Sequence, residues 1–366
     1  MIEKEFGLGG LATLGNVIVY LPLCDGMGNQ VIKGIGEELL KLSVRNGYDR
    51  VPGCEGYDTI PDCWLRGGDK EKRGEKRYQV AFNPMWYLLE LEEYIADNHV
   101  KLYYDTRFCG VVKDDGVIKA VVVENKSGRS AIKCGAVVDA SGDADVCWHA
   151  GEKTVSWRTN VRAGWFYYFD GQQVQLNKFS KWYDPNGKPM PKSGRGFAGD
   201  NADDVTEFVL ATRKLIKKEL VKLKKVNPST SPLFMPSIPD FRMTRMLKGR
   251  VALDASHDKV WFDDAVGMTG DWRRKGPIFY IPLRSLTAVD TGNLITAGRC
   301  MSSGTTGWDI LRVIPTCAVT GEAAGGASAM LRKKKKSTFA ELSIVELQKT
   351  LRSQNVLIDK KYAVTG

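Results

Sequence analysis

Histidine is nearly missing from this sequence, with three in 366 residues. Eight cysteines, at positions 24, 54, 63, 109, 134, 147, 300 and 317, form no CxxC pair. These shortages argue against a zinc or iron–sulfur centre, whose ligands come from such residues at short spacing. A disulfide framework is unusual in so long a chain without an export signal, so the cysteines read as small buried apolar residues. No apolar run approaches the roughly 18 residues that a membrane helix needs. The longest, Val17 to Leu23, reads as buried strand or loop. The start is not basic either: acidic Glu3 and Glu5 stand where a leader carries Lys and Arg. The expected setting is the cytoplasm, without a membrane partner.

What is present is an ordinary globular composition, 43% hydrophobic and 26% charged, long enough to bury one large core or two moderate ones. Net charge is +10. Much of the excess lies from Arg213 to Lys225, which alternates with Leu and Val like the wet face of an amphipathic helix. More lies from Arg332 to Lys336, where cations suit the end of a helix. No aromatic residues interleave with these charges, so nucleic acid is not an expected partner.

Apolar positions at 31, 35, 39 and 42 predict a helix over 29–46. Pro84 suits the first position of a second helix. KLYYDTRF at 101–108, a hairpin over 110–125 turning at Asp114 to Gly116, and AIKCGAVVDASG at 131–142 read as strands. The 38 glycines cluster in a few loops and one late helix. Three such segments fit one kind of chemistry. In the first, IEK is followed by LGG and ATLG; Glu3 stands where a dinucleotide fold holds a ribose hydroxyl, and Gly9 and Gly10 allow close backbone approach. In the second, VVDASGDADV at 137–146, a strand enters a small-residue loop, with Asp143 or Asp145 as an alternative helix cap. In the third, at 293–329, a strand from Leu294 to Ala297 leads through Gly298 and Arg299 to a helix that Pro315 opens. The start of that helix suits an anionic ligand.

The third segment resembles the C-terminal signature of FAD-dependent oxidoreductases, within the glutathione-reductase-like flavoproteins. NL..AGR followed by RVIP.C..TG.AAG is matched from Asn293 to Arg299 and from Arg312 to Gly325. GDWR at 270–273, IPLRSL at 281–286, IEK…LGG.AT and DASGD are similar as well. The resemblance implies an α/β fold: a Rossmann-like FAD-binding domain with an inserted α+β substrate domain. The expected divisions are 1–154 and 286–335 for the FAD domain, 155–285 for the insertion and 336–366 for a helical appendage. The family's opening GxGxxG is not found; Gly34 and Gly36 are followed by Leu39, and GLGGLA at 7–12 lacks a preceding strand. The expectation is therefore an FAD domain incomplete at its N-terminus by one strand and one helix.

The resemblance implies FAD contacts at Glu3, Lys4, Gly9, Gly10, Thr13, Ser141, Gly142, Asp143, Gly298, Arg299, Val313 and Ile314. It places Trp308, Asp309 and Arg312 beside the substrate. Arg242, Arg245 and Arg284 are candidates for substrate anions, Asp271 and Trp272 approach by position alone, and His149 and His257 read as ordinary surface or core residues. Cys317 sits near a helix start that favours its thiolate. The implied reaction is hydride transfer between flavin N5 and a small organic substrate, acidic or polyhydroxylated given the basic balance, with room for a homo-oligomer. The alternative is a non-catalytic remnant acting as a binding module.

Overall fold

The computed structural model describes residues 1–49, 52–181 and 194–364. Ile2 forms a parallel bridge with Tyr103, so the first residues run beside the segment after the second helix. Short strands β1 (Val19–Tyr20) and β2 (Val80–Ala81) pair antiparallel, with helix α1 (Ile35–Leu42) between them in sequence. Helix α2 (Pro84–Asp97) leads to a three-stranded meander, β3 (Arg107–Asp114), β4 (Val117–Asn125) and β5 (Gly128–Lys133). Strand β6 (Val137–Asp139) and helix α3 (Asp145–His149) follow.

After β7 (Thr154–Ser156) comes a separate layer. Strands β8 (Arg162–Phe169), β9 (Val174–Lys181) and β10 (Ser231–Phe234) form one sheet, crossed by helix α4 (Ala202–Val226). The chain returns through β11 (Arg245–Leu247), paired with β7, and the hairpin β12 (Ala265–Gly270) and β13 (Ile278–Pro282). Strand β14 (Leu294–Thr296) then lies parallel to β6, with Ile295 opposite Val138. Helices α5 (Trp308–Leu311), α6 (Ile314–Lys333) and α7 (Ile344–Ser353) complete the fold. Among the described residues β6 has no strand on its other edge, and Val138 there is exposed.

Local chemistry accounts for these elements. Asn83 caps α2 by accepting the N–H groups of Met85 and Trp86, with Pro84 at the position that needs no donor. Asp115 and Gly116 both take positive φ, 46° and 67°, the pattern of a tight hairpin whose twist matches its strands. The helix expected from 29 starts only at Ile35. Val31 donates instead to Leu23 O, and Gly34 at φ 60° breaks the helical path. Regular strand likewise begins at Arg107 rather than at 101, and 131–142 divides into β5 and β6.

Helix α6 centres the main core. Ala323, Ala324 and Ala327 are buried, and α1, α7 and β12 pack against it. A methyl group on Gly267 of β12 would collide with Val319 of α6, which is why the strand carries glycine there. The β8–β9–β10 layer has small cores of its own: Phe166, Phe179 and Ile216 in one, Phe197, Phe208 and Phe241 in the other.

Candidate active site

In an open α/β sheet, ligands gather beyond the carboxyl ends of parallel strands, so the loops after β6 and β14 come first. Asp139 ends β6 fully buried. It accepts the Ser141 N–H at 3.1 Å and hydroxyl at 2.7 Å through one oxygen, and the Cys147 N–H at 3.0 Å through the other. Ser141 Oγ accepts the Asp145 N–H at 3.0 Å. Asp139 and Ser141 therefore tie down the start of α3, in place of the alternative cap by Asp143 or Asp145. A buried carboxylate at the strand's end reaches those N–H groups first, which leaves the two later aspartates for other partners.

Arg299, from the loop after β14, binds three acceptors at once. It donates to Gly142 O at 2.7 Å, Phe241 O at 2.9 Å and Asp143 Oδ1 at 2.8 Å. Gly142 adopts φ 80°, and a Cβ there would lie 3.1 Å from the guanidinium. Thr244 donates to Asp143 at 2.6 Å, and Arg245 pairs with Asp145 at 2.6 Å while lying over the Trp148 ring. Burial pushes the Asp143 carboxyl up, but the Arg299 charge and the hydrogen bonds from Thr244 and Arg299 outweigh it and hold it below its usual range. Asp145 goes the other way, raised by burial and by the Asp143 charge despite Arg245. Lys4 acts electrostatically on both aspartates. The second and third glycine-loop segments thus meet through Asp143 and Arg299, within reach of the Lys4 charge.

Motif residues around this cluster serve the framework. Asn293 is fully buried and holds both backbone groups of Ile118, and Thr320 Oγ1 accepts the Gly298 N–H at 2.9 Å where the chain turns at φ 76°. Helix α6 begins after buried Val313 with half-buried Ile314 and Pro315 in its first turn, and no side chain caps it. Position near that helix start favours a Cys317 thiolate, but burial wins: the thiol is pushed up to about 11, against the pull of Arg299 and Arg312. Cys317 stays protonated near neutrality, contrary to the expectation from its place in the helix.

Trp308 is fully buried, edge-on to Trp157, with no partner for its indole N–H. Beside it runs a chain of alternating charge. Arg312 pairs with Asp309 at 2.8 Å, Arg273 links Asp309 at 3.4 Å to buried Asp271 at 3.1 Å, and Trp272 donates to Asp309 O at 2.9 Å. Asp240, only 3% exposed, lies 3.9 Å from Arg242; burial raises its carboxyl in spite of Arg242, Arg312 and Arg299. Arg284 stands on the surface, paired with Asp264. His149 meets the Phe108 ring, and His257 closes a capping box with Asp254.

The first glycine loop reaches elsewhere. Gly9 and Gly10 take φ 97° and 53°, and the space beyond Gly10 is open. Thr13 donates to Leu8 O, Asn16 to Trp165 O at 3.0 Å, and Leu14 O accepts from the Ser237 N–H at 2.9 Å. The loop thereby binds the β8 layer. Glu3, half-buried, accepts the Glu5 N–H at 3.0 Å. Asp240, Phe241 and Thr244 were not legible as site residues, because no glycine loop or apolar period marks their segment.

A sequence model of the family described as FAD dependent oxidoreductase matches residues 1–164 and 242–351, well over half of the chain. Between the two parts lie most of β8 and all of β9, α4 and β10. No curated protein sequence matches. Among solved structures, the chain is similar to a geranylgeranyl bacteriochlorophyll reductase-like protein from Thermoplasma acidophilum, at 13% identity over 100% of this chain and 87% of that one, with a TM-score of 0.43. It is similar to p-nitrophenol 4-monooxygenase from Pseudomonas putida at 12% identity, over 96% and 78%, with a TM-score of 0.45. A probable FAD-dependent monooxygenase from Pseudomonas aeruginosa stands at 11%, over 97% and 84%, with a TM-score of 0.38. Likenesses this loose leave identification to the family match.

Proposed function

The chain belongs to the FAD dependent oxidoreductase family, and on that basis we propose that it transfers hydride between a small organic substrate and FAD lying across the carboxyl ends of β6 and β14. One observation carries this reading: Arg299, from the third glycine-loop segment, pairs with Asp143 of the second at 2.8 Å, and the charge of Lys4, from the first, bears on Asp143 too. The residues fit such a cofactor. Ser141 and Ala140 are exposed at the end of β6, Gly10 faces open space, and the α6 start has no side-chain cap.

In this reading the FAD domain is Rossmann-like and glutathione-reductase-like. Glu3 and Lys4 hold the ribose end, with Gly9, Gly10 and Thr13 giving close backbone approach. Ser141 and Gly142 form a second crossing, kept in place by Asp143, Gly298 and Arg299. Val313 and Ile314 present the positive end of α6 to negative charge. Bound flavin supplies the redox chemistry, and the protein supplies orientation and charge. Asp309 fixes the Arg312 guanidinium, which steadies an acidic or hydroxylated substrate, while Trp308 walls the site from behind. Residues 155–285 face that substrate.

A titration of the purified chain with FAD, followed in the visible flavin bands, tests the proposal. Saturable binding is expected, and a folded protein that never binds FAD overturns it. Engagement of Arg299 by three protein acceptors favours a second reading, a flavin-binding module without turnover. Bleaching of bound flavin by polyhydroxylated or acidic donors supports the enzyme; a flavin that dithionite reduces but these donors do not supports the module.

A further inference from the structure

Between α4 and the 235–240 segment lies a cavity of about 30 Å³, room for about two water-sized groups. Ala163, Phe208, Ile216 and Ile238 give it apolar walls. Of its four polar side chains Arg213 and Ser237 are exposed, and two are more than nine-tenths buried: Thr212 at 5% exposure and Asp240 at 3%. Neither Thr212 Oγ1 nor Asp240 Oδ2 has a hydrogen-bond partner, although Asp240 Oδ2 faces the Arg242 guanidinium at 3.9 Å. Buried polar atoms left this way are rare and point to a missing partner. We propose that the cavity is a substrate subsite seating a neutral hydroxyl on a short carbon stem, which donates to Asp240 Oδ2 and accepts from Thr212 Oγ1.

Charge selects the hydroxyl. An ammonium head would meet Arg242, 3.9 Å from Asp240, and the field of Arg312 and Arg299. A carboxylate head would meet Asp240 itself, and Arg213, also on the lining but exposed, offers it only a solvent-screened charge. A hydroxyl satisfies both orphaned oxygens, and the apolar walls take the stem. The proposal rests on the reading of the 155–285 layer as substrate-facing; Phe241, next to Asp240, touches Arg299 at the candidate flavin site.

Three probes with two-carbon skeletons separate the cases: ethanol, acetate and ethylammonium, titrated into the full chain with and without FAD. Methyl NMR of Val209, Ile216 and Ile238 reads the cavity directly. Saturable shifts with ethanol alone are expected, with affinity about tenfold weaker in Thr212→Val, the effect of one lost hydrogen bond. No saturable shift, which leaves the cavity to water, overturns the proposal, as does either ion binding as well as ethanol. Unchanged affinity in Thr212→Val overturns it too. Should that variant not fold, the comparison of the three head groups in the unaltered protein decides. Flavin absorbance in the same samples separates the two readings. FAD bound without an ethanol site removes only the subsite. An ethanol site in protein that never binds FAD removes its role as a substrate subsite.

Discussion

Asp143 sits between opposing pulls, and Arg299 decides the outcome. Burial disfavours the carboxylate, while the arginine charge and two hydrogen bonds hold it ionised below the usual range. Arg299→Ala leaves Asp143 with the Thr244 hydrogen bond but no ion pair in a mostly buried place, and removes two further bonds to backbone carbonyls. The expected loss is about 3 kcal/mol of stability, read from urea unfolding. Because the folded carboxyl titrates below its unfolded value of roughly 4, its contribution is complete above that pH and fades as pH falls through the folded value. The gap between wild type and variant is therefore expected to shrink in acid; a gap independent of pH would show that the carboxylate is not what Arg299 serves. Arg299→Lys retains charge but cannot span three acceptors, and is expected to lie between the two.

At the scale of elements, α6 decides most of the packing, and its neighbours show how. Its Glu322 carboxylate accepts the Ile35 N–H at 3.0 Å and so caps α1, a helix whose own Gly34 offers no side chain. Burial raises Glu322 to about 7, Glu38 adds to this, and the Ile35 N–H opposes it. An acid raised in the folded state binds its proton more tightly there, so stability falls as pH climbs from roughly 4.5 to 7 and the whole penalty stands above that. The penalty is on the order of 3 kcal/mol. Glu322→Gln keeps an acceptor for Ile35 and is expected to flatten this slope, gaining on wild type at pH 8 relative to pH 4.5; equal slopes in urea midpoints would refute the account.

Glycines on two sides of α6 give a second contrast. Nothing lies within 4 Å of a Cβ placed on Gly325, which is exposed inside the helix, so Gly325→Ala is expected to stabilise by up to about 1 kcal/mol. Gly267→Ala drives a methyl group into Val319 and is expected to destabilise by about 1–3 kcal/mol. Thermal melts of the pair should move in opposite directions.

Across the whole molecule, stability is spread unevenly. The β12–β13 hairpin is fully buried against α6 and α7 in the largest core, while the β8–β9–β10 layer rests on two clusters of three buried residues each. Native-state hydrogen exchange is expected to be faster in α4 and β9 than in α6 and β13. Equal protection would mean that both layers open as one unit. A layer that opens on its own suits a region facing substrate, as proposed for 155–285.

Chemistry confined to a few neighbouring residues was legible in the sequence. Pro84 after Asn83, the Asp115–Gly116 turn, the charged face of α4 and the small-residue helix from Ile314 all form as their local preferences dictate, because the interactions that specify them span only a few positions. The glycine-loop segments and the family resemblance were legible for the same reason. Tertiary structure decided what depends on contacts far along the chain. It ended the helix expected from 29 in favour of a Glu322 cap 287 positions away, and it gave the α3 cap to Asp139. It kept the Cys317 thiol protonated by burying it, and it brought Asp240, Phe241 and Thr244 to the site. Burial and charge pairing are properties of the folded arrangement, so no window of sequence carries them.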